Sequence, residues 1–291
     1  MIAVISGGVT YSLDDGSLCW FQGMDGAGLP DLRRFGEQGP MQHGESERGF
    51  RLQARTLRLK LAIQAGSLSD YFARRERLLA LFHPEQEAHL RLTLPGGAVR
   101  QLDVAVGECA LGLESNWRMQ RVALDLRAAD PTYYDPAAET ITLLPEVGSG
   151  PYGEVPMSVP HGVGAPAIDE TITIQYQGTW ISYPRIRLSG PLSDPLIEHG
   201  ETGEKLDFSG TTIAAGDWYE IDLRYGYKTV RDAGGVERSG RLSDDSDLAT
   251  FHLDRRLPGE AQHANPIRVT GSGAGTATRV DVTFLHRYIG L

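Results

Sequence analysis

The residues able to do chemistry are scattered along the chain. The histidines His43, His83, His89, His161, His199, His252, His263 and His286 are the natural candidates for bases or metal ligands. A catalytic zinc would need two of them one helical turn apart with a glutamate between. No pair has that spacing, so each reads as a surface or strand residue. Gly148-Ser149-Gly150-Pro151-Tyr152-Gly153 fits the glycine pattern of a dinucleotide loop in form only. It contains a proline, and no amphipathic helix follows to seat a pyrophosphate, so it reads as a connector. Gly271 to Gly275 lacks the lysine and hydroxyl residue of a phosphate loop and reads as a turn, and no GxSxG elbow occurs. Asp244-Asp245-Ser246-Asp247 is the densest acid cluster, but calcium loops alternate their acids and continue to a glycine and a glutamate. It reads as a solvated turn. Carboxylate pairs for glycoside hydrolysis meet in space and not in sequence, and nothing singles out a pair. Trp180, Tyr183, Trp218 and Tyr219 can stack on sugar rings where exposed, and belong to the core where strands bury them. Cys19 and Cys109 have no metal-ligand spacing and read as reduced and half buried, with a disulfide left open. The expectation is a protein that is not an enzyme, with no catalytic, cofactor-binding or metal residue and no cofactor.

The elements that would position any such residue are mostly strands. At 291 residues the chain can build two domains with cores of their own. Its 35 glycines and 16 prolines favour many turns and few long helices. The net charge is −10 and no basic block stands out, which argues against nucleic-acid binding and against adsorption to anionic membrane lipid. No apolar run reaches the roughly 18 residues that suggest a membrane span. The opening MIAVISGGVTYSLDDG lacks a basic region and a sustained apolar core. It reads as a first strand, not a secretory signal, with a hairpin near Asp15-Gly16.

One segment has a clear helical period. Between residues 67 and 82, Leu68, Tyr71, Phe72, Leu78, Leu79 and Phe82 form a stripe that Arg75 interrupts. Ser67 with Asp70 reads as a capping box, and Pro84 stops the helix. Its expected role is structural, laid across a sheet. Strands flank it: Leu57, Leu59 and Leu61 alternate with Arg58, Lys60 and Ala62, Leu90, Leu92 and Leu94 with Arg91 and Thr93, and Val122, Leu124 and Leu126 share a face. Residues 35–49 hold four glycines, a proline and little apolar content, which suits a surface loop or an arm gripping a neighbour. DPTYYDP at 130–136 closes a first domain, 1–136. The Gly- and Pro-rich stretch 145–166 opens a second, 137–291. There, strands are expected at TITIQYQG, YPRIRLSGP, EKLDFSG, DWYEIDL, YKTVRD, ATFHLD, NPIRVTGS and TRVDVTFLHRYIGL, with turn residues between them. The fold class is mainly β: two β-sandwich domains, the N-terminal one with a single packed α-helix and the C-terminal one a sandwich or jelly roll.

The order of these features resembles the distal tail protein family (Dit) of long-tailed bacteriophages with non-contractile tails. The likeness rests on the glycine-rich loop Gly36 to Gly49 followed by RTLRLKLAI, on SLSDYFARRERLLALF and HPEQEAHLRLTLPGG, and on DPTYYDP. It is strongest in GTWISYPRIRLSGPLSDPLIEHGETGEKLDF, where a tyrosine-proline strand leads to a glycine-proline turn and then a threonine-glycine turn. GDWYEIDL, the region of Lys228 and Val230, PGEAQHANPIRV and the closing RYIG carry it over nearly the whole chain.

The resemblance implies a structural virion protein of the tail tip, synthesised in the host cytoplasm. It implies a homo-oligomer: a hexameric ring of N-terminal sandwiches in which an arm at about 36–49 embraces the neighbour. A galectin-like C-terminal sandwich lies outside the ring, and a channel for DNA passes through it. The tail tube protein, a tail hub protein and the tape measure protein are the implied partners. The acidic balance suits a channel that must not retain phosphate. A galectin-like fold does not by itself mean sugar binding. The alternative reading is a carbohydrate-binding adhesion module for the host surface, which needs exposed aromatics near Trp180 or Trp218. A glycoside hydrolase on a jelly roll has no site signal in its favour.

Overall fold

The computed structural model describes residues 1–113, 117–145 and 167–291. The glycine motif at 148–153, His161 and positions 146–166 of the connector lie outside the described residues. The chain divides into two compact units, residues 1–136 with 287–291, and residues 137–286.

The first unit opens with a tight hairpin of β1 (Ile2–Ser6) and β2 (Val9–Ser12). Gly7 and Gly8 sit between them at φ +56° and +78°, the left-handed conformation that two-residue hairpin loops require. The hairpin expected near Asp15-Gly16 is therefore not there. Gly16 (φ +75°) instead turns the chain under the Trp20 ring, where a Cβ would come within 2.4 Å of it. β3 (Trp20–Asp25) pairs with β6 (Arg55–Gln64), and between them β4 (Leu32–Glu37) and β5 (Ser46–Leu52) form a two-stranded sheet of their own. α1 (Leu68–Leu81), β7 (Ala88–Thr93), β8 (Val99–Ala110), β9 (Met119–Ala128) and the short β10 (Tyr133–Tyr134) follow.

The main sheet runs β2-β1-β7-β8-β9-β6-β3. β8 is the strand that folds it over. Its first half pairs with β7 as far as Ala88↔Val104, and its second half pairs with β9 from Ala105↔Arg127 onward. Both ends of the path therefore share one core, with Ile2, Val4, Leu90 and Leu92 meeting Leu57, Leu59, Leu61, Leu124 and Leu126. The alternation read from the sequence holds here: Leu57, Leu59 and Leu61 are buried while Arg58 and Lys60 face out. Each leucine so buried contributes about 2 kcal/mol. Arg58 makes a two-pronged pair with Asp125 at 2.7 and 2.8 Å across the outer face.

The Ser67 half of the capping box forms as expected, while its reciprocal bond is shifted from Ser67 to Gly66. The Asp70 amide donates to Ser67 Oγ at 3.1 Å, and the Gly66 amide donates to the Asp70 carboxylate at 3.1 Å. The expected apolar stripe is split, however. Tyr71, Leu78 and Leu81 are buried with Phe82 just past the helix, whereas Leu68, Phe72 and Leu79 stand about half exposed. At about 100° per residue these three lie within about 40° of one another, so they form a second face beside the buried one. Arg75 between the two faces is satisfied by polar partners. It donates to Gln120 Oε1 and the Gly112 carbonyl, both at 2.7 Å, and Gln120 also accepts from the Tyr71 hydroxyl at 2.7 Å.

In the second unit, β11 (Glu139–Leu143), β12 (Ala167–Tyr176), β13 (Arg185–Ser189), β14 (Leu192–His199), β15 (Lys205–Asp207), β16 (Thr212–Ile213), β17 (Trp218–Asp222), β18 (Thr229–Asp232), β19 (His263–Ser272) and β20 (Arg279–Phe284) form two antiparallel sheets. Their orders are β11-β20-β13-β17-β18 and β12-β19-β14-β15, with β16 added to β14. Both sheets feed one core, which makes this unit a sandwich. β14 was not expected, because Pro195 argues against a central strand. The register shifts between Ser193 and Leu196, with Asp194 at φ +52°, and that bulge accommodates the proline. The strand expected at 249–254 is instead turn with one isolated bridge, Ser182↔Leu253. Phe251 and Leu253 are nonetheless buried, so the apolar spacing reflects a loop pinned to the core. The long closing strand of the sequence reading ends at Phe284. β21 (Arg287–Tyr288) leaves that sheet and pairs with β10 of the first unit, Tyr133↔Tyr288 and Tyr134↔Arg287.

Candidate interaction surface

The arm expected over 36–49 is longer and more regular than a loop. β4 and β5 pair from Leu32↔Leu52 through Arg33↔Arg51 and Phe35↔Gly49 to Glu37↔Ser46, with a bulge after Phe35. The base is closed by the Gln53 amide donating to the Asp31 carbonyl at 2.8 Å. Salt bridges Arg34–Glu47 and Arg48–Glu37 brace the two strands across the bulge. At the tip the Gln42 side chain accepts from the Gly39 amide at 2.9 Å and donates to Ser46 Oγ at 3.0 Å. Met41 stands there fully exposed at φ +65°. No residue of β4 or β5 is buried, and among the described residues neither outer edge is paired. Two guanidinium groups lie over the Phe35 ring, Arg33 at 5.3 Å and Arg51 at 5.7 Å from its centre.

The segment that launches the arm is anchored by Arg55, which sequence reading did not single out. It is 2% exposed. Its guanidinium donates to the carbonyls of Gly26, Gly28, Pro131 (2.7 Å) and Ile289 (2.6 Å), and lies 4.8 Å from the Tyr133 ring centre. Burial lowers its pKa, yet an arginine remains charged, and four carbonyl dipoles with one aromatic face stand in for a carboxylate. Gly26 must be glycine, since a Cβ would meet the Thr56 carbonyl at 2.3 Å. A periodicity argument cannot see this clasp, because its parts come from residues 26–28, 55, 131–133 and 289.

A cavity of about 420 Å³ opens where β8 changes partner, lined by residues 84–89, 103–105, 127, 129 and 130. Buried Ala88 and Val104 form its floor. Asp103 on its wall is held by His89 Nδ1 at 2.6 Å and by the Tyr134 hydroxyl. Burial and this carboxylate push the Tyr134 pKa up.

Among the described residues, those first considered for chemistry do not converge. His199 is buried and bonds Asn265 Oδ1 at 3.0 Å through Nε2, while its Nδ1 accepts backbone amides. His252 lies between Glu204 and Asp254, His263 between Glu201 and Glu260, and His286 meets Glu139 at 3.1 Å. His43 and His83 are exposed. No group of three that could hold a metal is found among the described residues. The acid cluster ties a turn to β15: Asp245 pairs with Lys205, and Asp247 accepts the Lys205 amide at 2.9 Å. Gly271 to Gly275 spans the end of β19 and the turn into β20. Tyr219 is buried, Trp218 lies under the Arg187 guanidinium at 4.1 Å, Trp180 is half buried, and Tyr183 packs on Tyr225. Among the described residues the open aromatics of the second unit are Tyr225 and Tyr227, which sequence reading did not flag. Cys19 and Cys109 are free thiols, Cys19 buried and Cys109 half buried, so no disulfide joins them.

Comparison with known proteins agrees with the resemblance read from the sequence. Residues 27–126 match the family model described as phage tail protein RIFT-related domain. The chain has the fold of the Dit protein of phage SPP1, described as a paradigm of the hub adsorption apparatus in phages infecting Gram-positive hosts. The TM-score is 0.66 at 15% identity, covering 99% of both chains. A chain of the phage P2 baseplate in its activated conformation aligns at TM-score 0.48 and 8% identity over the full length of both. No curated protein sequence matches the chain.

Proposed function

We propose that this chain is a structural, non-enzymatic component of a siphophage tail, one subunit of a hexameric ring that joins the tail tube to the tail-tip or baseplate hub. The observation that carries this reading is the β4–β5 arm, a hairpin with open edges in a chain whose residues 27–126 match a phage tail domain. A two-stranded hairpin alone is marginal in water. A head-to-tail neighbour covers such edges, and a ring closed by rotation leaves none over. In this reading the first unit builds the ring around a channel for DNA, and the second is a galectin-like sandwich outside it. The chain is made in the host cytoplasm and ends in the virion tail tip, next to tube, hub and tape measure proteins. The net charge of −10 suits a passage that must not hold phosphate.

The test is the mass of the full chain at micromolar concentration by mass photometry, with negative-stain imaging. A hexameric ring is expected. Deleting residues 37–48 should weaken the ring while circular dichroism shows both units folded. A monomeric wild type with no ring in the images overturns the reading, and an undiminished ring in the deletion removes the arm from it.

A further inference from the structure

We propose that the Phe35 face of the arm docks in the β7–β8–β9 cavity of the next copy of the chain. This rests on the ring reading above and names the seat of the arm. Within one chain no residue of the arm lines the cavity, and every residue of β4 and β5 is at least partly exposed, so the cavity is not filled by its own arm.

Two unpaired sets of charges match. On the arm, Arg34 and Arg48 are spent on Glu47 and Glu37, whereas Arg33 and Arg51, opposite each other in the ladder, meet no carboxylate among the described residues. Both guanidiniums lie over the Phe35 ring instead, giving an aromatic ring beside two cations. Around the cavity, Glu85 and Glu87 meet no cation among the described residues. The other lining acids are already held, Asp103 by His89 and Tyr134 and Asp130 by Arg287. Arg127 is the lone arginine of the lining, so acids outnumber it. The floor is apolar at Ala88 and Val104, and the volume admits a phenyl ring. A guanidinium stacked on an aromatic ring retains its donors for carboxylates, so Phe35 can enter while Arg33 and Arg51 reach Glu85 and Glu87. Complementary charge at such a rim also fixes the register of successive copies.

Charge reversal and rescue in the full chain test the seat. R33E/R51E should raise the concentration needed for half assembly at least about tenfold, because it places like charges together. Adding E85R/E87R to that variant should restore assembly. Separately, Phe35→Cys combined with Ala129→Cys should give a ladder of covalently joined copies on a non-reducing gel, and Phe35→Cys alone should not. A ring indifferent to the reversal, a fourfold variant no better than the double one, or a disulfide formed only within one chain overturns the seat while leaving the ring reading intact. A wild type that never assembles fells the ring reading before any variant is made.

Discussion

In the first unit Leu32, Phe35, Phe50, Leu68, Phe72 and Leu79 are between 37% and 53% exposed, all on a hairpin or along one helix face. Among the described residues the second unit exposes Leu144, Tyr225, Tyr227, Val236 and Leu257 one or two at a time outside its strands. Scattered exposed apolar residues are ordinary, whereas rows of them on regular elements mark surfaces that another chain covers. The interiors differ as well. The first unit buries an arginine clasped by carbonyls, while the second places a lysine, Lys228, at φ +48° with its ammonium 4.0 Å from the Tyr183 ring centre and no hydrogen-bond partner. The exposed apolar rows and the carbonyl-clasped arginine thus both belong to the first unit, and the lysine held over an aromatic ring to the second.

The most severe way to break this contrast is Arg55→Leu. It leaves the carbonyls of Gly26, Gly28, Pro131 and Ile289 without their donor, which should cost the first unit about 3 kcal/mol or more. Urea unfolding of the full chain, followed by hydrogen exchange, should show the loss in residues 1–136 and spare 137–286. Equal loss in both units would erase the distinction.

Alkaline pH should separate the units by sign. Burial, with Asp15 beside it, pushes the Cys19 thiol from 9.0 up to about 12. The unfolded chain then loses that proton first. Cys19 therefore contributes stability that is complete below pH 9 and is lost as pH rises towards 12. Burial lowers the Lys228 ammonium from 10.5 to about 8. Its contribution is fully present above 10.5 and is lost as pH falls through 8. Between pH 8 and 10.5 the second unit should gain stability, and Lys228→Met should flatten that gain. Cys19→Ala should flatten the first unit's loss above pH 9. Hydrogen exchange across this range reads both, and the same sign in both units would refute the assignment.

The gentlest test compares surfaces. Phe72→Ser with Leu79→Ser, and Tyr225→Ser with Tyr227→Ser, should each lower folding stability by about 1 kcal/mol, since each pair loses one edge-on ring contact, with Tyr71 or with Tyr183. Only the helix pair should lower assembly by mass photometry. A comparable loss from the tyrosine pair would give the second unit a contact surface too.

The strands of the first core were legible because period-two alternation is a local property, as in Leu57, Leu59 and Leu61. The helix was legible from its cap, but its orientation was not. Which part of a wide apolar stripe is buried depends on the sheet beneath, and Gln120, far away in sequence, draws Arg75 and Tyr71 inward. β14 was hidden by Pro195, whose bulge depends on pairing with β19. The arm was visible as a glycine-rich stretch, yet its cross-strand ion pairs made it a ladder beginning at Leu32. The Arg55 clasp and the cavity were invisible, because each gathers residues that only the folded sheet brings together.

The return of residues 287–291 to the first unit has a consequence for synthesis. During translation the whole of 137–286 leaves the ribosome before β10, paired already with β8, receives its second partner β21 and Arg55 its acceptor on Ile289. Polypeptides stalled anywhere in that interval carry an unfinished first unit, however well their second has folded.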